Sequence, residues 1–257
     1  MTSIAQQKDI VQRVCQKVRN RPWLPISQLQ RDTSIDVPAR GGGVNIVRTS
    51  FPAPPSPAIR DVLYTVIDRL KKYYHHVTPA EEIPVQDVGV KFIGPCSGAQ
   101  GAADAPGPEA DATEEEEKLR ALLKKCNFNL TILYTHGGGL YFSSPAQYRA
   151  ASARLAKSTG ALVVSIEYSL APVHTFPAPI LDILLAYTSL LYPPPNAPYP
   201  AIPASQIVIA GNSAGANLAL CLIKTLLEIQ EIPESVRSFN FHGKSITSLP
   251  SPLASPS

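Results

Sequence analysis

The chain has 257 residues, 44% of them hydrophobic, which is enough to bury one sizeable α/β core. Its net charge of +3 is too small to indicate a partner nucleic acid. The cysteines stand far apart with no CxxC pair, so neither a zinc site nor a redox motif is indicated and no cofactor is expected: Cys15, Cys96, Cys126 and Cys221. The N-terminus lacks the apolar stretch of a signal peptide, and no apolar run approaches the ~20 residues that span a bilayer. We therefore expect a soluble, cytoplasmic protein.

Residues 1–82 are interpreted as a helical, loop-rich segment that could form a cap. A weak amphipathic helix is expected at 8–19, and a clearer one at 56–74, with Ser56 as its N-cap and Pro57 in its first turn. Apolar residues of the second helix recur at three- and four-residue steps, which predicts one buried face: Ile59, Val62, Leu63, Val66, Ile67 and Leu70. The segment is rich in Lys and Arg, which favours a solvated face and leaves peripheral contact with a membrane as the alternative.

The α/β core is expected over residues 83–235. It starts with "IPVQDVGVKF", whose alternation predicts a half-exposed antiparallel strand. The small, acidic, Pro/Gly-rich residues 97–118 predict a disordered surface insertion. Three apolar runs follow, "LTILY", "ALVVSIEY" and "QIVIA", with the spacing of parallel strands joined by crossover helices. The Ser/Pro-rich residues 236–257 are expected to be a disordered tail.

A serine-centred turn follows the last apolar run. The stretch "IVIAGNSAGANLALCLIKTLLEI" has the form strand, G-x-S-x-G, helix, which is typical of a nucleophile elbow. In such a turn Ser213 projects its hydroxyl from the sheet edge, and Gly211 and Gly215 stand where side chains would collide. The alternative is an ordinary glycine-rich turn in which Ser213 only caps the helix.

A glycine loop follows the strand "LTILY". We expect the main-chain amides of Gly137 and Gly138, together with that of Ala214, to stabilise the oxyanion that forms when a hydroxyl attacks a carbonyl. Gly139 completes the loop and supplies further backbone freedom. His136 is expected to orient the loop through hydrogen bonds rather than to act as the catalytic base.

Three motifs in this order, HGGG, "EYSLAPVHTFPAPILD" and GNSAGANL, resemble the hormone-sensitive-lipase-like branch of the α/β-hydrolases over residues 83–229. The resemblance implies a mostly parallel sheet flanked by helices, an N-terminal helical cap, and hydrolysis of small acyl esters without a metal or cofactor. His174 and Asp182 match family positions but precede the serine, so we interpret them as structural. Five residues depart from the family pattern: Ser169, Val173, Thr175, Asn212 and Ala216. These departures keep the nucleophile and the amide donors and affect the polar contacts that support them.

An acid and a base are missing downstream. In this fold they follow the serine in the order Asp or Glu, then His. Only 44 residues follow Ser213, with no aspartate, the acids Glu228, Glu231 and Glu234, and one histidine, His242, which we expect in the solvated tail.

The spacing favours an incomplete version of a longer esterase that ends after the elbow helix, with an open sheet edge beside strand 207–210 or its neighbours. A short, non-catalytic ligand-binding or regulatory protein is the alternative, and amide or formamide hydrolysis is the alternative within enzymology.

Overall fold

The computed structural model describes residues 24–35, 44–73, 82–95, 112–126 and 130–252. The helix predicted at 8–19 lies outside these residues, as do Cys15 and Cys96. The described helices are α1 (Ile26–Ser34), α2 (Ala58–Lys71), α3 (Ala112–Leu123), α4 (Arg149–Thr159), α5 (Ala178–Leu191), α6 (Ala214–Gln230) and α7 (Glu234–Arg237). The described strands are β1 (Val44–Phe51), β2 (Val88–Pro95), β3 (Thr131–Thr135), β4 (Leu162–Glu167), β5 (Ile207–Gly211), β6 (Phe239–Phe241) and β7 (Lys244–Ile246).

A five-stranded sheet in the order β1-β2-β4-β3-β5 forms the centre of the molecule. Strand β2 is antiparallel to both of its neighbours, while β3 is parallel to β4 and to β5, so four of the five strands run the same way. The three parallel strands predicted from the apolar runs are confirmed. Thr135 at the end of β3 stands opposite Gly211 at the end of β5, so the loops that follow these strands emerge side by side.

Strand β1 corrects the predicted division at residue 82. Its eight residues pair with β2 along their whole length, from Val44 opposite Pro95 to Phe51 opposite Val88. Part of the expected helical cap is therefore an edge strand of the core sheet. Strand β2 is also not half-exposed as predicted, because helices cover it on both faces and most of its residues are buried.

Helix α2 confirms the predicted apolar stripe. Five of the six predicted residues are buried and the sixth, Leu70, packs against the core. Pro57 takes the N-cap position instead of Ser56, whose Oγ accepts the Ala58 N–H at 3.3 Å. Helix α2 packs against α5 and α6, which makes it part of the core rather than a separate cap.

The buried apolar side chains form one cluster on each face of the sheet, because alternate residues of a strand point to opposite faces. Leu133 and Val164 belong to the larger cluster beneath α2, α5 and α6, and Ile132 and Val163 to the smaller one beneath α4. Helix α5 is buried on nearly all sides, as expected of a helix whose residues are almost all apolar.

The described parts of two segments predicted to be disordered are ordered. Residues 112–118 of the acidic insertion form most of helix α3, whose apolar side Leu119, Leu122 and Leu123 packs into the core. Residues 239–246 of the predicted tail form the β6–β7 hairpin. Burial of Phe239 and Phe241 offsets the cost of ordering this segment despite its Ser/Pro-rich composition.

Strand β5 lies at the edge of the sheet, as predicted, and Val208 on it is 47% exposed. Among the described helices, none is both long enough and apolar enough to cross a bilayer.

Candidate active site

Ser213 occupies the sharp turn between β5 and α6. Its backbone has φ 50° and ψ −123°, a conformation that non-glycine residues rarely adopt. Such strain persists only where the surroundings hold it, and it is found most often at functional sites. The Ser213 side chain is exposed, so the turn presents a hydroxyl at the end of the sheet where β3 and β5 also end.

The two glycines of the elbow permit close contact between the serine turn and the end of β3. A Cβ atom on Gly215 would lie 2.1 Å from the Thr135 carbonyl oxygen and 2.4 Å from that of His136. A Cβ atom on Gly211 would lie 2.6 Å from Thr135 Oγ1. Thr135 Oγ1 itself donates a hydrogen bond to the Gly215 carbonyl at 2.8 Å. These contacts require glycine at both positions, because a side chain would collide with the end of β3.

Asn212 joins the elbow to the glycine loop. Its Oδ1 accepts hydrogen bonds from the Gly137 N–H at 3.1 Å and from the Tyr134 hydroxyl at 3.0 Å. The Asp usual at this position in the family offers the same oxygen. The departure at Asn212 therefore keeps the acceptor, removes the negative charge and replaces the second oxygen by an NH₂ group.

This bond corrects the predicted set of oxyanion donors. The Gly137 N–H already has an acceptor and is not free to bind an oxyanion in this arrangement. Within the residues that the structure describes, the main-chain N–H groups of Gly138, Gly139 and Ala214 donate to no protein acceptor. Gly138 and Gly139 have φ of 128° and 64°, which glycine adopts without strain.

His136 contacts the main chain of the glycine loop, and its role in orienting the loop stays a prediction. Its Nδ1 lies 2.7 Å from the Gly137 carbonyl oxygen, and because a carbonyl can only accept, Nδ1 carries the proton. The imidazole is stacked on Tyr168 with ring centroids 4.2 Å apart, and the Tyr168 hydroxyl donates to the His136 carbonyl. Burial lowers the pKa of His136 to about 4, partly offset by the bond to Gly137, so the ring is neutral at physiological pH.

Asp182 is a structural carboxylate, as expected. It is buried in α5 and its Oδ2 accepts the Ser169 N–H at 2.6 Å. Burial raises the pKa of Asp182, while hydrogen bonds from Ser169 and the proximity of His174 act in the opposite direction. This bond fixes the start of the segment after β4, and His174 in that segment lines a cavity described below.

Among the described residues, no hydrogen bond joins an acid or a base to the Ser213 hydroxyl; the side-chain bonds along α6 join Cys221 to Asn217 and Lys224 to Glu228. Glu228 on α6 pairs with Lys224 and Arg69. His242 is not in a disordered tail: it lies in the turn of the β6–β7 hairpin, against the Phe241 ring and the Pro52 main chain.

An apolar cavity of about 400 Å³ lies between the glycine loop, the segment after β4 and helix α6. The glycine loop contributes Leu140 and Tyr141, and the first turns of α6 contribute Asn217, Leu218 and Cys221. Asn217 N–H donates to the Ser213 carbonyl at 3.1 Å, so the cavity wall begins one helical turn from the serine. Sequence reasoning did not find this cavity, because its walls come from three separate segments.

The mostly parallel sheet with flanking helices and the strained serine turn are those of the α/β-hydrolase fold. Residues 132–238 match the model of a family described by the alpha/beta hydrolase fold. An acetyl-hydrolase from Streptomyces hygroscopicus is 35% identical over 96 residues, which are 37% of this chain and 30% of that protein. An esterase from Acinetobacter venetianus is 36% identical over 107 residues, or 42% of this chain and 32% of that protein.

Among solved structures, an ester hydrolase from the metagenome of Lake Arreo, in complex with a bipyridine phosphonate derivative, has a TM-score of 0.52 and 20% identity. The match covers 90% of this chain and 57% of that one, and it supports the fold alone. The chain thus spans about a third of the length of these curated relatives and somewhat over half of that solved chain. The predicted resemblance is confirmed: the family match and these relatives support an α/β-hydrolase similar to the hormone-sensitive-lipase-like esterases.

Proposed function

We propose that this chain carries the nucleophile and the oxyanion-binding part of a carboxylic ester hydrolase. Ser213 is the nucleophile, and its position in a strained turn against the glycine loop is the observation that carries the proposal. The oxyanion donors are the main-chain N–H groups of Gly138, Gly139 and Ala214. Removing one such donor typically costs about 3–4 kcal/mol of transition-state stabilisation.

The proposed reaction is acyl transfer. Ser213 Oγ attacks the ester carbonyl carbon, the carbonyl oxygen becomes an oxyanion facing the three amides, and collapse of this intermediate expels the alcohol and leaves an acyl-serine that water hydrolyses. A base must take the Ser213 proton, and none of the described residues is bonded to that hydroxyl. We therefore expect turnover by this chain to be slow, with a residual ~10³–10⁴-fold acceleration at most from the oxyanion site and binding.

The apolar cavity beside Ser213 supports a small acyl ester with an apolar group as the partner. Its lining is mainly Leu, Ile, Pro and aromatic side chains, with few polar groups. Such a lining stabilises an apolar acyl or alcohol group by burial and gives little to a charged one. The cytoplasmic location stays a prediction.

A fluorophosphonate probe followed by mass spectrometry of the α6 peptide tests the proposal. We expect covalent labelling of Ser213 in the wild-type chain, no labelling in Ser213→Ala, and about tenfold or more slower labelling in Ala214→Pro, which removes one amide donor at the first position of α6, where proline is tolerated. Labelling at another serine, or equal labelling of the wild-type and Ala214→Pro chains, would contradict the assigned roles.

The absence of a base at Ser213 among the described residues favours a second candidate, a non-catalytic protein that binds apolar esters in the same cavity. Reversible binding of a short aryl ester without labelling of Ser213 supports this candidate over the first. Amide or formamide hydrolysis is separated from ester hydrolysis by matched ester and amide substrates, with Ser213→Ala as the background.

A further inference from the structure

Helix α1 lies against the glycine loop with no fully buried side chain to hold it there. None of its nine residues is buried, in contrast to α2 and α5. Among the described residues, its hydrogen bonds to the core go to the glycine loop and to the segment after β4, which both line the apolar cavity, so polar contacts hold the helix in place.

Gln30 bonds to both of these loops at once. Its Nε2 donates to the Tyr141 carbonyl at 2.7 Å and to the Ala171 carbonyl at 2.8 Å. The Ala171 N–H in turn donates to the Leu140 carbonyl at 2.9 Å. Leu140, Tyr141 and Ala171 all line the apolar cavity, so Gln30 fixes two of its walls relative to each other.

Thr33 binds the far end of the glycine loop. Its Oγ1 donates to the Leu29 carbonyl at 2.7 Å within α1, which turns the lone pairs outward, and it accepts the Ser143 N–H at 2.8 Å. Ser144 Oγ donates to the Thr33 carbonyl at 2.9 Å. One residue of α1 therefore holds two successive residues of the loop.

The glycine loop that α1 contacts has a backbone conformation that its own residues do not favour. Between Gly138 and Ser143, four residues have positive φ, and two of these, Leu140 at 65° and Ser143 at 81°, are not glycine. Left-handed backbone at such residues is unfavourable and persists where neighbouring groups impose it. Thr33 accepts the hydrogen bond from the Ser143 N–H. Gln30 donates to the carbonyl of Tyr141, the residue after Leu140.

We propose that α1 is a strap that sets the geometry of the oxyanion loop, with Gln30 and Thr33 as positioning residues that act through the loop without touching substrate. The catalytic consequence rests on the proposed function of Ser213, whereas the structural one does not. Without the strap, the loop samples conformations in which the amides of Gly138 and Gly139 no longer point to one position.

The test compares Gln30→Met and Thr33→Val, which keep side-chain size and remove the side-chain bonds to the loops, with the full wild-type chain. Hydrogen–deuterium exchange of peptides covering 137–144 is expected to rise about tenfold in each variant, with β3 and β4 unchanged. Thr33→Ser, which keeps the hydroxyl, should restore the wild-type rate. Ser34→Ala is the matched control, because the Ser34 hydroxyl bonds only within α1, to the Gln30 carbonyl, among the described residues.

Fluorophosphonate labelling of Ser213 supplies the second readout. We expect it to slow about tenfold in Gln30→Met and Thr33→Val and to recover in Thr33→Ser. If hydrogen–deuterium exchange at 137–144 is unchanged in both variants, α1 does not hold the loop, whatever the labelling rate of Ser213. Faster exchange with unchanged labelling overturns the positioning role. If wild-type Ser213 is not labelled, the proposed function fails, and the exchange comparison alone decides the strap.

Discussion

Asn212 Oδ1 accepts the main-chain N–H of Gly137 at 3.1 Å and thereby joins two turns that are 75 residues apart in the chain. The same oxygen accepts the Tyr134 hydroxyl at 3.0 Å. One side-chain atom thus ties the serine elbow, the glycine loop and the end of β3 together, and it takes Gly137 out of the set of free amides.

Replacing Asn212 by Ala is expected to lower the free energy of unfolding by about 1–2 kcal/mol, because two partly buried donors lose their acceptor. Asn212→Asp keeps the oxygen and should retain both stability and Ser213 labelling. Urea denaturation checks the first point and probe labelling the second. Tyr134→Phe, which removes one donor together with its need for an acceptor, should cost less than Asn212→Ala; the reverse order would contradict the role given to Oδ1.

Replacing Gly215 by Ala is expected to destabilise the chain by about 3 kcal/mol and to abolish Ser213 labelling. The added Cβ would lie 2.1 Å from the Thr135 carbonyl oxygen, which belongs to a buried strand and cannot move freely. Gly139→Ala is the control: a Cβ there has no atom within 4 Å, and only the positive φ of 64° opposes it, at about 1 kcal/mol. Equal losses of stability in the two variants would show that the elbow is not closely packed.

The parallel strands and the elbow could be predicted because their signals are local. An apolar run, a G-x-S-x-G turn and an amphipathic helix each lie within a few residues, and the structure confirms all three. Strand β1 was missed because its partner β2 lies some 40 residues away and its apolar residues are interrupted by Asn45, Arg48 and Thr49.

The C-terminal hairpin did leave a local signal. Phe239 and Phe241 alternate with Asn240, and His242–Gly243 forms a two-residue turn with φ of 49° and 82°, as hairpin turns of this length require. The surrounding Ser/Pro-rich composition outweighed it in the sequence interpretation. The engagement of Gly137 by Asn212 had no local signal, since it depends on the distance between two loops.

His136 is expected to make stability depend on pH. Its pKa is lowered from 6.5 to about 4 in the folded chain, so between these values the unfolded chain binds a proton that the folded chain does not. Stability therefore falls as pH decreases from about 6.5 to about 4, by a total of about 3 kcal/mol, and is fully present above pH 6.5.

Chemical denaturation of wild type and His136→Phe between pH 4 and 7.5 measures this effect. Phe keeps the stacking on Tyr168 and has no proton to bind. The difference between the two chains cancels the contributions of Asp182 and His242, whose pKa values are also shifted. Parallel pH profiles for the two chains would mean that His136 is not buried as a neutral ring.

The open edge at β5 is expected to drive self-association. Val208 on β5 is 47% exposed, and Leu220 on the adjoining helix α6 is 66% exposed. An edge strand with exposed apolar side chains offers unpaired N–H and C=O groups to a second chain, and a lysine on such an edge opposes pairing. Val208→Lys should therefore raise the monomer fraction measured by size-exclusion chromatography with light scattering. Val173→Lys, at a loop residue that is 76% exposed, adds the same charge away from the edge and should leave that fraction unchanged. If both variants raise the monomer fraction equally, net charge rather than strand pairing controls association. If the wild-type chain is already monomeric and unfolds cooperatively, the edge at β5 does not cause self-association and the prediction is wrong.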